Sequence, residues 1–320
     1  MWVPAAISRK IGGLFFSVAL SLAFSCAHLN QDLPASPGTG LPAHVEISSV
    51  PFYPQEAYQC GPAALAMVLQ WTQADVRLQE LISEVYTPAR QGSLQPALIS
   101  AARRRSRLAY GIESFEALLQ ELAAGHPVIV LQNLGLHWFP RWHYAVVIGY
   151  DLKKTAVILH SGREGRRQVN WSLFVRTWQR ADYWGLAVLP VWELPASADE
   201  KSYLNAVLGL EEAGQWEGAV TAYSKALEQW PDSIGALMGQ GNSLYALGNL
   251  AGAERAFRRA IQANPQNGAA FNNLAHVLAE QGHYAEALQM VGRAVALGGP
   301  NDPLYRQTLD EIKKLQEMNR

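Results

Sequence analysis

The stretch Pro54-Gln55-Glu56-Ala57-Tyr58-Gln59-Cys60-Gly61-Pro62-Ala63-Ala64-Leu65-Ala66-Met67-Val68-Leu69 sets a single cysteine where a polar loop meets an apolar helix. Ala63 to Leu69 are good helix formers. Gly61 permits a tight backbone, and Pro62 suits a first helical turn, where a missing N–H costs nothing. Cys60 therefore opens a mostly buried helix. That position predicts a thiol with a lowered pKa, because unpaired N–H groups and the helix dipole favour the thiolate. The backbone N–H of Cys60 can also meet a developing oxyanion, with a side-chain amide as the second donor. Gln55 lies close enough in sequence to supply it. Gln59 is the rival, but a residue directly before the cysteine tends to point elsewhere.

A thiol nucleophile needs a base, and the chain has 8 histidines. His28 and His44 fall in a Pro/Gly/Ser-rich stretch or at its edge, and His126 sits in a turn beside Pro127. His276 and His283 lie in a helical region. His137, His143 and His160 remain. His143 begins the most apolar run of the chain, His143-Tyr144-Ala145-Val146-Val147-Ile148-Gly149-Tyr150. A strand can hold its imidazole rigidly across a cleft, so His143 is the expected base. The simpler alternative is a structural histidine at a strand end; the cysteine at a helix start weighs against it. His137, His143, His160 and Cys60 match no common zinc spacing, and no metal or cofactor is expected.

The chain has 320 residues, 49% apolar and 17% charged, with a formal charge of −1. It is long enough for two domains, and nothing in its charge points to nucleic acid. Arg103-Arg104-Arg105-Ser106-Arg107 reads as a solvated helix end. Helical spacing appears at 60–71, 75–86, 93–105 and 114–124, with Ser114 and Ala117 beginning the last. Short apolar runs follow at 127–132, 143–150, 155–160 and 184–191, with a polar turn at 151–154. Helices and then an antiparallel sheet predict an α+β domain over 47–194. Leu136-His137-Trp138-Phe139-Pro140-Arg141-Trp142 forms an aromatic loop just before His143. Its rings either line a substrate groove or pack the loop onto the domain.

Beyond a short linker at 196–199, an internal repeat appears. Gly214, Gly248 and Gly282 stand at equal steps of 34 residues, as do Ala219, Ala253 and Ala287, and Ala226, Ala260 and Ala294. Tyr223, Phe257 and Val291 fill the large apolar position between them. Pro231 and Pro265 close two units, and Pro300 comes one residue late in the third. The pattern resembles the tetratricopeptide repeat, in three copies over 200–301 followed by a solvent-facing capping helix at 302–320. That resemblance implies an all-α solenoid with a surface for a protein partner.

The chain's start reads as an export signal over 1–25. Arg9 and Lys10 precede an apolar run, Ile11 to Phe24, too short to span a bilayer comfortably. Leu22-Ala23-Phe24-Ser25-Cys26 resembles a bacterial lipoprotein box, with Ala23 as a departure from it. The resemblance implies lipid on Cys26, a membrane anchor and a flexible tether over 26–46. A plain signal peptide cut nearby is the alternative. Ala27 in place of an aspartate favours the outer membrane, with the domains facing the periplasm. With Cys26 lipidated, Cys60 is a lone thiol in an oxidising compartment.

Gln55 and the run from Cys60 to Met67, followed by His143 to Asp151, resemble the bacteriocin-leader (double-glycine) peptidase family over about residues 49 to 165. The resemblance implies a papain-like fold and a peptide or protein substrate. It implies Cys60 as nucleophile, His143 as general base and acid, and Gln55 as oxyanion donor. Two departures stand out. Gln55 is one residue closer to the cysteine than is usual in that family. The acid expected on the strand after the histidine is absent from Val157-Ile158-Leu159-His160-Ser161-Gly162. His160 is the candidate third member, with Ser161 or a backbone carbonyl as alternatives. Two readings follow: an active thiol peptidase, or a peptidase-like module that holds peptides with little or no cleavage.

Overall fold

The computed structural model describes residues 40–55 and 58–319. The expected signal peptide over 1–25, the lipid site at Cys26 and most of the tether lie outside the described residues.

The first part of the chain runs β1 (His44–Glu46), α1 (Cys60–Trp71), α2 (Leu78–Val85), α3 (Gln95–Arg103), β2 (Arg107–Ile112) and α4 (Phe115–Ala123). It continues with β3 (Val128–Asn133), β4 (Trp142–Asp151), β5 (Ala156–Ser161), β6 (Glu164–Asn170), α5 (Trp171–Gln179) and β7 (Gly185–Pro190). The strands form one seven-stranded antiparallel sheet in the order β2-β7-β3-β4-β5-β6, with β1 on the far end of β4. Glycine is required at Gly149, where β1 crosses: a Cβ there would lie 2.1 Å from the carbonyl oxygen of Val45. Gly61 to Leu69 are all buried, so α1 is apolar around its circumference and runs through the core rather than over it.

Most of the expected elements form. Ser114 caps α4, its hydroxyl accepting from the Ala117 N–H at 3.1 Å. Four further elements lacked a readable period, among them β1, which pairs the last three residues of the expected 26–46 tether with β4. β2 and β6 carry arginines and glycine where alternating apolar residues would signal a strand. β6 is a charged, exposed edge, the composition that blocks strand addition. α5 is capped by Asn170, which accepts from the Ser172 N–H at 3.0 Å.

The arginine run is not a solvated helix end. Arg104 and Arg105 pair with Glu84 of α2. Arg107 donates to Thr72 Oγ1 at 2.8 Å and to the Thr72 carbonyl at 3.1 Å, closing the C-terminal end of α1. Arg103 reaches Glu212 of the next domain at 3.4 Å.

The second part is all-α: α6 (Glu200–Glu212), α7 (Trp216–Gln229), α8 (Ile234–Ala246), α9 (Leu250–Ala263), α10 (Gly268–Glu280), α11 (Tyr284–Leu297) and α12 (Asp302–Met318). Gly214, Gly248 and Gly282 turn each helix pair at φ of +70°, +73° and +80°, a conformation other residues adopt only with strain. The six periodic alanines are fully buried, letting paired helices approach closely. The core of the sheet domain runs on into the first repeat through Tyr203, Val207, Leu210 and Tyr223. A second core surrounds Phe257, Leu278, Val291 and Ile312. α12 is not wholly solvent-facing: Tyr305, Thr308 and Ile312 form a buried stripe. Among the described residues no helix is long and apolar enough to cross a membrane.

Candidate active site

Cys60 is the first residue of α1, and its thiol is largely buried. Backbone N–H groups of Tyr144, Gly61 and Cys60 itself approach the sulfur and favour the thiolate. Burial acts the other way and is larger, so the thiol pKa lies above its ordinary value. The lowered pKa expected from a helix N-terminus is therefore not met: this N-terminus sits against the sheet, where desolvation outweighs the dipole. Gly61 is fixed by the same crowding, since a Cβ would come within 2.7 Å of the Ser93 side chain.

Tyr144 follows His143 on β4, so the thiol and the histidine come to one end of that strand. In a strand, the N–H and C=O of one residue point to the same side. For Tyr144 that side faces β5. Its N–H turns to the sulfur, and its carbonyl accepts from Gln55 Nε2 at 3.2 Å. Gln55 Oε1 accepts from the Gly162 N–H at 2.9 Å, and the Gln55 N–H donates to the Gly162 carbonyl at 2.8 Å. The pairing Val146 to His160 continues to Tyr144 opposite Gly162. There the amide of Gln55 replaces a direct ladder bond and splays the two strands. Gln55 is only 7% exposed. One Nε2 hydrogen serves Tyr144, which leaves the second for another acceptor.

His143 Nε2 and Ser161 Oγ share a 2.8 Å hydrogen bond, and Ser161 is 7% exposed. The imidazole pKa is pushed down to about 4 by burial, with Arg167 and Arg141 adding like-charge repulsion. His160 does not join this group. Strand alternation turns it to the opposite face, where its Nε2 donates to the Val50 carbonyl at 3.3 Å and its Nδ1 accepts from the Arg166 N–H at 3.1 Å. Its ring packs against Phe52 beside a cavity of about 300 Å³. Ser161 takes the place proposed for it. A hydroxyl carries no charge signature, and parity along β5 was the one sequence signal that favoured residue 161 over 160.

The aromatic loop joins β3 to β4 as a pinned hairpin. Asn133 Oδ1 accepts from the Gly135 and Arg141 N–H groups, both at 2.9 Å, and Arg180 donates to the Gly135 carbonyl at 2.6 Å. Its rings do not pack down: Trp138 is 80% exposed and Phe139 71%. His137 is exposed on the same loop. Among the described residues no three His, Cys, Asp or Glu side chains converge as metal ligands would. In the repeats, Asn242, Tyr245, Asn273 and His276 line a cleft of about 270 Å³ over Phe257.

Residues 47–185 match the Peptidase_C39 like family, and residues 204–268 and 238–304 match the tetratricopeptide repeat. Among solved structures, a C39-like peptidase from Bacillus anthracis is 19% identical, covering 46% of this chain and 98% of its own, with a TM-score of 0.40. The TPR2B domain of yeast Sti1 in a pHsp70 complex is 18% identical, covering 38% and 98%, with a TM-score of 0.35. The first TPR of Spaghetti (RPAP3) bound to an HSP90 peptide is 17% identical, covering 36% and 90%, with a TM-score of 0.34. No curated protein matches the chain.

Proposed function

We propose that this chain, a C39-like peptidase domain joined to tetratricopeptide repeats, is a thiol peptidase. The observation that supports it best is the end of β4 beside β5, which gathers Cys60 with its backbone donors, Gln55, and an imidazole steadied by Ser161.

Ser161 occupies Nε2, so Nδ1 is the nitrogen left to exchange protons with the thiol. Burial leaves the resting pair as neutral thiol and neutral imidazole. Proton transfer therefore accompanies attack: the S–H proton passes to His143 as sulfur bonds to the substrate carbonyl carbon. The oxyanion is met by the Cys60 N–H and the second Nε2 hydrogen of Gln55. His143 then protonates the leaving amine as the C–N bond breaks, leaving an acyl-enzyme. Water, deprotonated by His143, releases the acid and restores the thiol. Ser161 fixes the ring but contributes no negative charge, so the imidazolium gains less stabilisation than beside a carboxylate. A second reading, a weak or inactive peptide-binding module, draws on that missing carboxylate.

The repeats recruit a protein partner or substrate, and lipid on Cys26 anchors the chain to the bacterial envelope, with its domains in the periplasm. Mass analysis of the N-terminal peptide checks the anchor: an unmodified Cys26 in protein purified from membranes would refute it. For the chemistry, an electrophilic peptide should label Cys60 in the wild type and fail on His143→Ala. Equal, sluggish labelling of both would leave only the binding module.

A further inference from the structure

The catalytic end of the sheet holds more positive charge than it balances. The register Val147 to Leu159 to Arg167 puts His143, Ser161 and Arg167 on one face of the sheet. Arg141 leads into β4 two residues before His143. Four other arginines of this domain reach carboxylates: Arg104 and Arg105 with Glu84, Arg166 with Glu46, Arg103 with Glu212. Arg141 is exposed, and among the described residues its guanidinium has no carboxylate partner. Arg167 stands 3.7 Å from Glu164, and both are exposed, so water screens the pair.

These two guanidiniums oppose the step the site must perform. When Cys60 gives up its proton, His143 becomes an imidazolium facing like charge. Ser161 offers nothing to offset it. A negative group brought by the substrate would.

We infer that Arg141 and Arg167 receive a carboxylate of the substrate peptide, so that acidic peptides are the preferred substrates. This deepens the thiol-peptidase reading and rests on it. A carboxylate can meet a guanidinium through two parallel hydrogen bonds. Once seated, it cancels positive potential at His143, which couples substrate binding to proton transfer. The carboxylate comes from an acidic side chain or from a chain terminus.

The experiment uses the full chain and electrophilic peptides of one sequence. The residue before the warhead is glutamate or glutamine, and the extension beyond it ends in a carboxylate or an amide. The rate of Cys60 labelling should be about tenfold higher for one carboxylate probe than for its neutral twin at low salt, equivalent to one strong charge-assisted contact. The preference should shrink with salt and collapse in Arg141→Gln and Arg167→Gln. In Arg167→Gln, the acid limb of the neutral probe's pH profile should also move up from near pH 4, a change that lost folding would not mimic. Whichever carboxylate probe is favoured names the source. Equal labelling by all four probes overturns the inference and leaves the peptidase reading standing. No labelling by any probe overturns that reading, and this inference with it. Equal labelling together with Arg141-dependent capture by anionic phospholipid vesicles would assign the arginines to a lipid surface, which the exposed Trp138 and Phe139 would also suit, and would overturn the inference.

Discussion

Two buried polar centres of the first domain are built around a histidine, with opposite charge balance. At the seam with the repeats, His126 Nδ1 bonds Glu121 Oε2 at 2.7 Å, and its Nε2 lies 3.7 Å from Glu193. Glu121 is fully buried. Its other oxygen accepts from the N–H and hydroxyl of Ser197, at 2.7 and 2.6 Å. Burial pushes its pKa up, but His126 and Ser197 together outweigh burial and hold it below the usual range. The expected linker at 196–199 is thus a fastened strap, and Tyr110 adds a hydrogen bond to the Ser197 carbonyl at 3.3 Å. At the end of β4 beside β5, His143 has one hydroxyl and two nearby guanidiniums. The seam satisfies every group and fixes geometry. The His143 centre leaves charge unbalanced, as a site completed by a ligand would.

Stability should separate the two. Glu121→Ala leaves Ser197 and His126 without their buried partner and should cost about 3 kcal/mol. Ser161→Ala removes one hydrogen bond and should cost about 1 kcal/mol. Denaturant unfolding measures both, and equal losses would erase the distinction. The seam variant should also loosen the repeats, seen as protease cleavage near Ser197.

Acid should act on the two centres in sequence. The folded pKa of His143, about 4, lies below the unfolded value of about 6.5. Between them the unfolded chain binds more protons, so stability falls as pH drops from about 7 towards 4. After discounting for the partial exposure of the imidazole, this amounts to about 2 kcal/mol. Glu121 also has a lowered folded pKa, so its contribution is present above the unfolded carboxylate range and is lost at lower pH. Melting curves of His143→Gln should be flatter between pH 7 and 4. Curves parallel to wild type would show that the imidazole is not held neutral by burial.

Much of this molecule could be read residue by residue. The 34-residue period located the helix-turning glycines and the buried alanines, and the spacing from Cys60 to Leu69 located the central helix. The charged edge β6 and the interrupted β2 escaped because their residues answer to neighbours in the sheet, not to a period of their own. Gln55 was placed near the cysteine, but its bridging of Tyr144 and Gly162 depends on strands far apart in sequence. Sequence offers His160 as the third member with Ser161 or a backbone carbonyl as alternatives; the face it occupies excludes His160.

The sequence by itself determined the repeat array, the helix that Cys60 opens and the strand that His143 begins. Periodicity, caps and turn residues act within a few positions, so they are written locally. Only the tertiary structure decided that the thiol pKa rises, that Ser161 bonds the histidine and that two guanidiniums act on it, Arg167 with only a solvent-exposed carboxylate at 3.7 Å and Arg141 with none among the described residues. Desolvation and charge balance depend on what lies across a strand or a cleft, and no stretch of chain carries that information alone.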